Sequence, residues 1–184
     1  MEEQYRTPPY RYCPWCASPL GQDNPYRQEC SSCGFVLYHT SSPCMGALPL
    51  NDSGKVLLAK RAIEPFYGDW NTIGGFLEYQ EDPMEGLKRE VQEETGVGCI
   101  IEDFITMNAD TYGPGGSALL NSYFTVRLLS SDIHPRDDVS ELKWFSMDEL
   151  PENIAFGSDR KALAALRKKL ELKKAANSDK ETRG

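Results

Sequence analysis

No stretch of this 184-residue chain approaches the run of about 18 apolar residues that a membrane-spanning helix requires, so a transmembrane role is not expected. Basic charge is also short. Twenty Lys and Arg stand against 28 Asp and Glu, and a net charge of −8 argues against a broad nucleic-acid footprint, because phosphate backbones are held by basic surface. Small phosphorylated ligands stay compatible, since a bound cation reverses the local sign. Histidine is nearly absent: His39 and His134 read as surface or loop residues. There are no internal repeats and nothing that reads as a secretory signal, which points to a reducing, cytoplasmic setting. At 40% hydrophobic and 26% charged, the composition suffices for one medium domain with a small appendage.

Four of the six cysteines form two pairs, Cys13-Pro-Trp-Cys16 and Cys30-Ser-Ser-Cys33, separated by 13 residues. Four thiolates close a tetrahedral shell, whereas a disulfide across a two-residue gap is strained, so the spacing reads as a structural Zn²⁺ ribbon. A redox thiol pair and a nucleic-acid-contacting ribbon are the other readings; the latter has only Arg6, Arg11 and Arg27 to offer. His39 stands after the second pair, but four cysteines already fill the shell. Cys44 and Cys99 lie in apolar surroundings and read as small buried hydrophobes.

The pattern divides the chain into an arm and zinc ribbon over 1–38, a main domain over 39–174 and a disordered tail over 175–184. In the main domain, Pro43 to Leu50 and Lys55 to Arg61 are strand-like runs around a turn signal, Asn51-Asp-Ser-Gly54, which predicts a hairpin. Val97 to Asp110 and Ala118 to Leu129 read as strands about the glycine-rich Tyr112 to Gly116 segment, and Leu142 to Ser146 as a short strand. Asp159 to Lys174 reads as a helix with Leu163, Leu166 and Leu170 on one stripe. Strands mixed with two helices indicate α/β packing.

The most informative segment runs from Gly75 to Val97. Asp82 suits an N-cap, Pro83 the first helical position, Glu85 a capping box and Gly96 the stop. Within that helix Glu90, Glu93 and Glu94 are related as i, i+3 and i+4 and emerge on one face. Like charges so gathered repel unless a cation occupies them, and carboxylates suit Mg²⁺ or Mn²⁺. Glu90-x-x-Glu93-Glu94 taken alone also matches a solvated acidic face. Arg89 can reach back to Glu85 or to the loop acids Glu78 and Glu81 and orient the cluster. Gly74 and Gly75 let the backbone approach metal or phosphate.

Gly75, Glu81, Arg89, Glu90, Val91, Glu93, Glu94, Gly96 and Val97 together fill every fixed position of a pattern that resembles the Nudix box of the Nudix hydrolases. The flanks Val56 to Arg61, Gly68 to Gly74 and Leu142 to Leu150 are also similar to that family, so the resemblance spans about 43–172. It implies an α/β/α sandwich around a mixed sheet, and hydrolysis of a nucleoside diphosphate linked to another group by water attacking the pyrophosphate. Metal would sit on Glu90, Glu93 and Glu94 near Gly74. The general base would be Glu93 or Glu94, or a distant acid, for which Glu141 stands ahead of Asp137 and Asp138.

Zinc-ribbon members of the family include NADH pyrophosphatases, but the Ser-Gln-Pro-Trp-Pro-Phe-Pro signature that marks them is missing; the corresponding stretch begins at Cys99-Ile-Ile-Glu-Asp-Phe. The resemblance is therefore nearer to relatives that cleave ADP-ribose or FAD and release AMP. NADH, capped RNA ends and dinucleoside polyphosphates remain the alternative substrates, and a non-catalytic nucleotide-binding module the alternative function. Trp70, Tyr112 and Phe156 are candidates to stack an adenine, beside Gly75, although an aromatic in such a flank also serves as core. A homodimer is a further expectation of the resemblance.

Overall fold

The computed structural model describes residues 10–181 apart from 22, 23 and 25, with side chains described as far as 176. Most of the expected N-terminal arm, residues 1–9, and the last three residues of the expected tail lie outside the described residues. Strands β1 (Arg27–Glu29) and β2 (Val36–Tyr38) pair antiparallel and form the ribbon. Its interior is small: Cys13, Leu20 and Cys30 are buried, with Phe35 and Leu37 packed against them.

The main domain continues through β3 (Ser42–Pro49), β4 (Val56–Arg61), β5 (Trp70–Asn71), β6 (Ile73–Phe76), α1 (Pro83–Thr95), β7 (Cys99–Thr111), β8 (Ala118–Leu128), β9 (Val139–Phe145) and α2 (Gly157–Glu181). One sheet has the order β6-β3-β8-β7 and a second the order β5-β4-β9. The larger sheet is mixed, because β3 runs parallel to β8 while its other pairs are antiparallel.

Period-two alternation sends successive side chains to opposite faces and builds two cores. Leu57 and Ala59 of β4 join Met45, Ala47, Leu87 and Val91 under α1; Val56 and Leu58 join Tyr123, Ala162, Leu163 and Leu166 under α2. The two helices thus cover opposite faces, the α/β/α layering that the family resemblance implied. Leu163 and Leu166 are buried and Leu170 packs beside them, as the helical stripe predicted.

The expected hairpin forms its turn but not its ladder. Asn51 and Lys55 close the turn and Leu50 bridges Val56, after which β3 and β4 part into different sheets. β3 pairs with β6 and β8 on its two sides, so it has no edge left for β4. Strands β5 and β6 stand ahead of α1: Gly74 and Gly75 have little strand propensity, but pairing with Gly46 and Met45 supplies the order. The β7–β8 hairpin forms as predicted, with Gly113 and Gly115 at positive φ in its turn. β9 begins at Val139, before the predicted Leu142, and α2 runs past Lys174 to Glu181 into part of the predicted tail.

Candidate active site

Asp82 fixes where the acidic helix starts. Its carboxylate accepts from the Met84 and Glu85 N–H groups, Pro83 occupies the first turn, and Gly96 ends α1 in the left-handed conformation. Glu85 takes the ammonium of Lys88 at 2.8 Å instead of closing a capping box. With the helix so registered, Arg89 becomes the hub of the acids. Its guanidinium donates to both oxygens of Glu81 at 2.7 and 3.0 Å, to Glu90 at 2.8 Å, to Glu93 at 2.9 Å and to the Phe76 carbonyl at 3.1 Å. Glu81 also accepts from the Glu78 N–H, and these contacts, Arg89 first, hold its carboxyl down at about 2. Of the partners expected for Arg89, Glu81 is realised and Glu78 and Glu85 are not.

Glu94 points the other way, into the protein. It is 3% exposed; Oε1 accepts the Gly74 N–H at 2.9 Å and Oε2 has no partner. Burial raises its pKa well above the ordinary carboxylate value, opposed by the Gly74 bond and reinforced by Asp138 and Glu90. Burial likewise raises Glu90 and Asp138. Glycine is required at position 74, and at Gly75 a larger residue would displace an acid. Gly74 sits at φ 135°, where a Cβ would lie 2.1 Å from the Met45 carbonyl oxygen, and a Cβ on Gly75 would lie 2.7 Å from the Glu90 carboxylate.

These groups line one wall of a cleft of about 380 Å³. Asp137 and Asp138 line it as well, from the loop ahead of β9, whereas Glu141 does not. Glu141 lies opposite Lys60 in the β4–β9 ladder and pairs with its ammonium at 3.4 Å in solvent. The register of β9 therefore replaces Glu141 by the two aspartates as the distant acids of the site. Trp70 is also displaced from its expected role. At 7% exposed it belongs to the α2-side core and meets Phe145 edge-on, with centroids 4.9 Å apart.

Tyr112 and Phe156 do line the cleft, their rings near-parallel at 5.9 Å. Phe76 and Phe66 meet these two rings edge-on, and the guanidinium of Arg61 lies 5.1 Å from the Phe156 centroid. Arg61, Asn71, Asn121, Tyr123 and Asp159 also reach the cleft, and the sequence pattern flagged none of them. Four of the buried polar atoms without a partner lie on these walls: Arg61 NH2, Asn71 Oδ1, Glu94 Oε2 and Asn121 Nδ2. Buried polar groups are normally paired, so a cleft that collects unpaired ones is shaped for a ligand.

The thiols of Cys13, Cys16, Cys30 and Cys33 lie within 4.8 Å of one another, all free of disulfides. Each pair closes the same knuckle: Ala17 and Gly34, the residues after the second cysteines, have positive φ and donate to the carbonyls of Cys13 and Cys30. Such a donor set fits zinc. The carboxylates Glu90, Glu93 and Glu94 do not converge to that closeness, because Arg89 holds two and Gly74 the third. Hard oxygen donors with an orphaned buried oxygen fit a hard divalent cation. His39 is engaged with Gln28 at 2.9 Å and stacked on Tyr10.

A profile described as the NUDIX domain matches residues 40–166. The NAD-capped RNA hydrolase NudC of Pseudomonas aeruginosa is 30% identical over 143 residues, 77% of this chain and 49% of the relative. The ADP-ribose pyrophosphatase of Methanocaldococcus jannaschii is 26% identical over 111 residues, 60% of this chain and 65% of the relative. The chain thus spans about half the length of the NudC relative. Among solved structures, a NUDIX hydrolase from Nitrosomonas europaea superposes with a TM-score of 0.70 at 27% identity, covering 84% of this chain and 88% of that one.

Proposed function

The chain belongs to the NUDIX domain family, and from that premise we propose that it hydrolyses the pyrophosphate bond of a nucleoside diphosphate linked to a second moiety, ADP-ribose or FAD, and releases AMP. The observation that carries this reading is Glu94: a buried carboxylate with one oxygen fixed by Gly74 and the other unpaired, in a cleft lined by both acids and aromatic rings.

Glu90, Glu93 and Glu94 would hold Mg²⁺ or Mn²⁺, which when bound neutralises diphosphate oxygens and lowers the pKa of a bound water. The chain's own groups do the rest. Arg89 holds Glu90 and Glu93 in place, in the positions from which they would hold a cation. Gly74 and Gly75 keep the wall flat enough for a phosphate to approach. A proton acceptor for the attacking water must be a desolvated carboxylate facing the cleft, and Glu94 and Asp138 meet that condition. The Tyr112–Phe156 wall would take a heterocycle by stacking.

The four ribbon thiols would hold Zn²⁺ with a structural role, since no ligand position is left open. Reduced thiols suit a cytoplasmic setting. Among the described residues no helix is long and apolar enough to cross a membrane. NADH or an NAD-capped RNA end is the second reading, favoured by the NudC relatives. Release of AMP from ADP-ribose, FAD, NADH and diadenosine polyphosphates with Mg²⁺ tests the proposal, against Glu94→Gln as control. Turnover that falls by about 100-fold or more in the variant is expected. No turnover of any compound would leave a nucleotide-binding module instead.

A further inference from the structure

The α2-facing half of the cleft has polar groups, but nearly all are committed. Tyr123 Oη and Thr72 Oγ1 both donate to Asp159, at 2.8 and 2.9 Å, and the Ser158 N–H donates to Asp110 at 2.6 Å. Asn121 is an exception, as is Arg61 beside the Phe156 ring. Asn121 stands on β8 two residues before Tyr123 and two after Leu119, so the three share a strand face, and all three line the cleft. It is 9% exposed, and its Nδ2 is buried without a partner. The other unpartnered cleft asparagine, Asn71, lies opposite Ala59 of the α1-side core, in the half that holds the acids.

From this placement we infer that Asn121 is the specificity-determining residue for the heterocycle of the substrate, reading the edge of an adenine that stacks on the Tyr112–Phe156 wall. The inference rests on the reading of the cleft as a nucleotide site. A carboxamide offers one donor and one acceptor side by side, which matches the amino group and neighbouring ring nitrogen of adenine in a bidentate pair. A neutral amide gives a phosphate oxygen a single donor and turns an acceptor toward it, so the anionic part of the substrate has reason to settle at the cations and at Arg61 instead. Leu119 and Tyr123 on either side keep water from satisfying the amide in the loaded site. A base lacking the amino group offers Oδ1 no donor, and that loss is the source of selectivity.

The test compares ADP-ribose with its analogue whose purine lacks the 6-amino group, in the wild-type protein, Asn121→Ala and Asn121→Leu. The leucine variant keeps the side-chain size if alanine compromises folding. In the wild type, kcat/KM is expected to favour the amino compound by about ten-fold or more. In both variants the ratio is expected to collapse toward one. A wild-type ratio near one, or a ratio unchanged in folded variants, would overturn the assignment. Should the wild type hydrolyse neither compound, the proposed reaction fails separately, and the ratio of calorimetric affinities for the same pair decides the role of Asn121 by the same criteria.

Discussion

Residue by residue, the acids of the cleft sit in surroundings that disfavour their charge. Glu90, Glu94 and Asp138 all have pKa values raised by burial. A carboxyl whose folded-state pKa exceeds its unfolded value binds more protons in the native state, so native stability falls as pH rises through that interval. A divalent cation offsets the repulsion only where the acids are ionised. Melting temperatures measured at about pH 5 and about pH 8 should therefore show a larger Mg²⁺-induced rise at the higher pH; an equal rise at both would contradict a carboxylate site. Glycine substitutions separate fold from site. Gly74→Ala forces a Cβ onto the Met45 carbonyl at an unfavourable φ and should cost about 3 kcal/mol or more in denaturant unfolding. Gly75→Ala meets the movable end of Glu90, so metal affinity should fall by more than stability does. At this scale the sequence was informative where partners are near neighbours: Glu81 and Arg89 are eight apart and their pairing was expected. Glu141 was not placeable, because which β9 residue faces the cleft depends on pairing with β4, some 80 residues away.

Among the elements, the first turn of α2 shows how a buried charge ties layers together. Asp159 accepts from Thr72 of the β5–β6 connection and from Tyr123 of β8, and burial raises its pKa to about 6. Above that pH a desolvated charge remains, supported by three hydrogen bonds, and stability declines as pH rises through the interval. Asp159→Asn turns an amide donor toward a group that also donates and should cost about 1–3 kcal/mol. It should also flatten the pH dependence of melting between the ordinary carboxylate range and about 6. A variant melt that keeps the wild-type pH slope would remove Asp159 as its origin. Nothing in the sequence marked this residue, since its partners come from two distant segments. Helix α1 was readable to its caps because capping is local. The β3–β4 turn was readable for the same reason, yet the strands it joins belong to separate sheets, which no local signal records.

For the whole molecule, the ribbon and the main domain depend on different physics. The ribbon has a core of three buried residues and four convergent thiols, so the proposed zinc would supply much of its order. Elemental analysis should find about one zinc per chain. Chelation should change the fluorescence of Trp15, 79% exposed and stacked on Phe35, while the melt of the main domain persists. Loss of both together would show the ribbon to be integral to the larger core. The α/β class was legible from the mixture of strand and helix patterns, and the layered sandwich with its mixed sheet came with the family resemblance. The division into two sheets was not, because it is fixed by long-range pairing.

Two of those pairings have a consequence for synthesis. β3 lies beside β8, and β4 beside β9, so the two central strands leave the ribosome long before their partners do. The nascent chain must carry Leu48, Leu57 and Leu58 uncovered until most of the domain has been translated. A premature stop anywhere before Phe145 therefore leaves sticky, half-paired strands, and such a truncated product is a substrate for chaperones and proteases, not a smaller working unit.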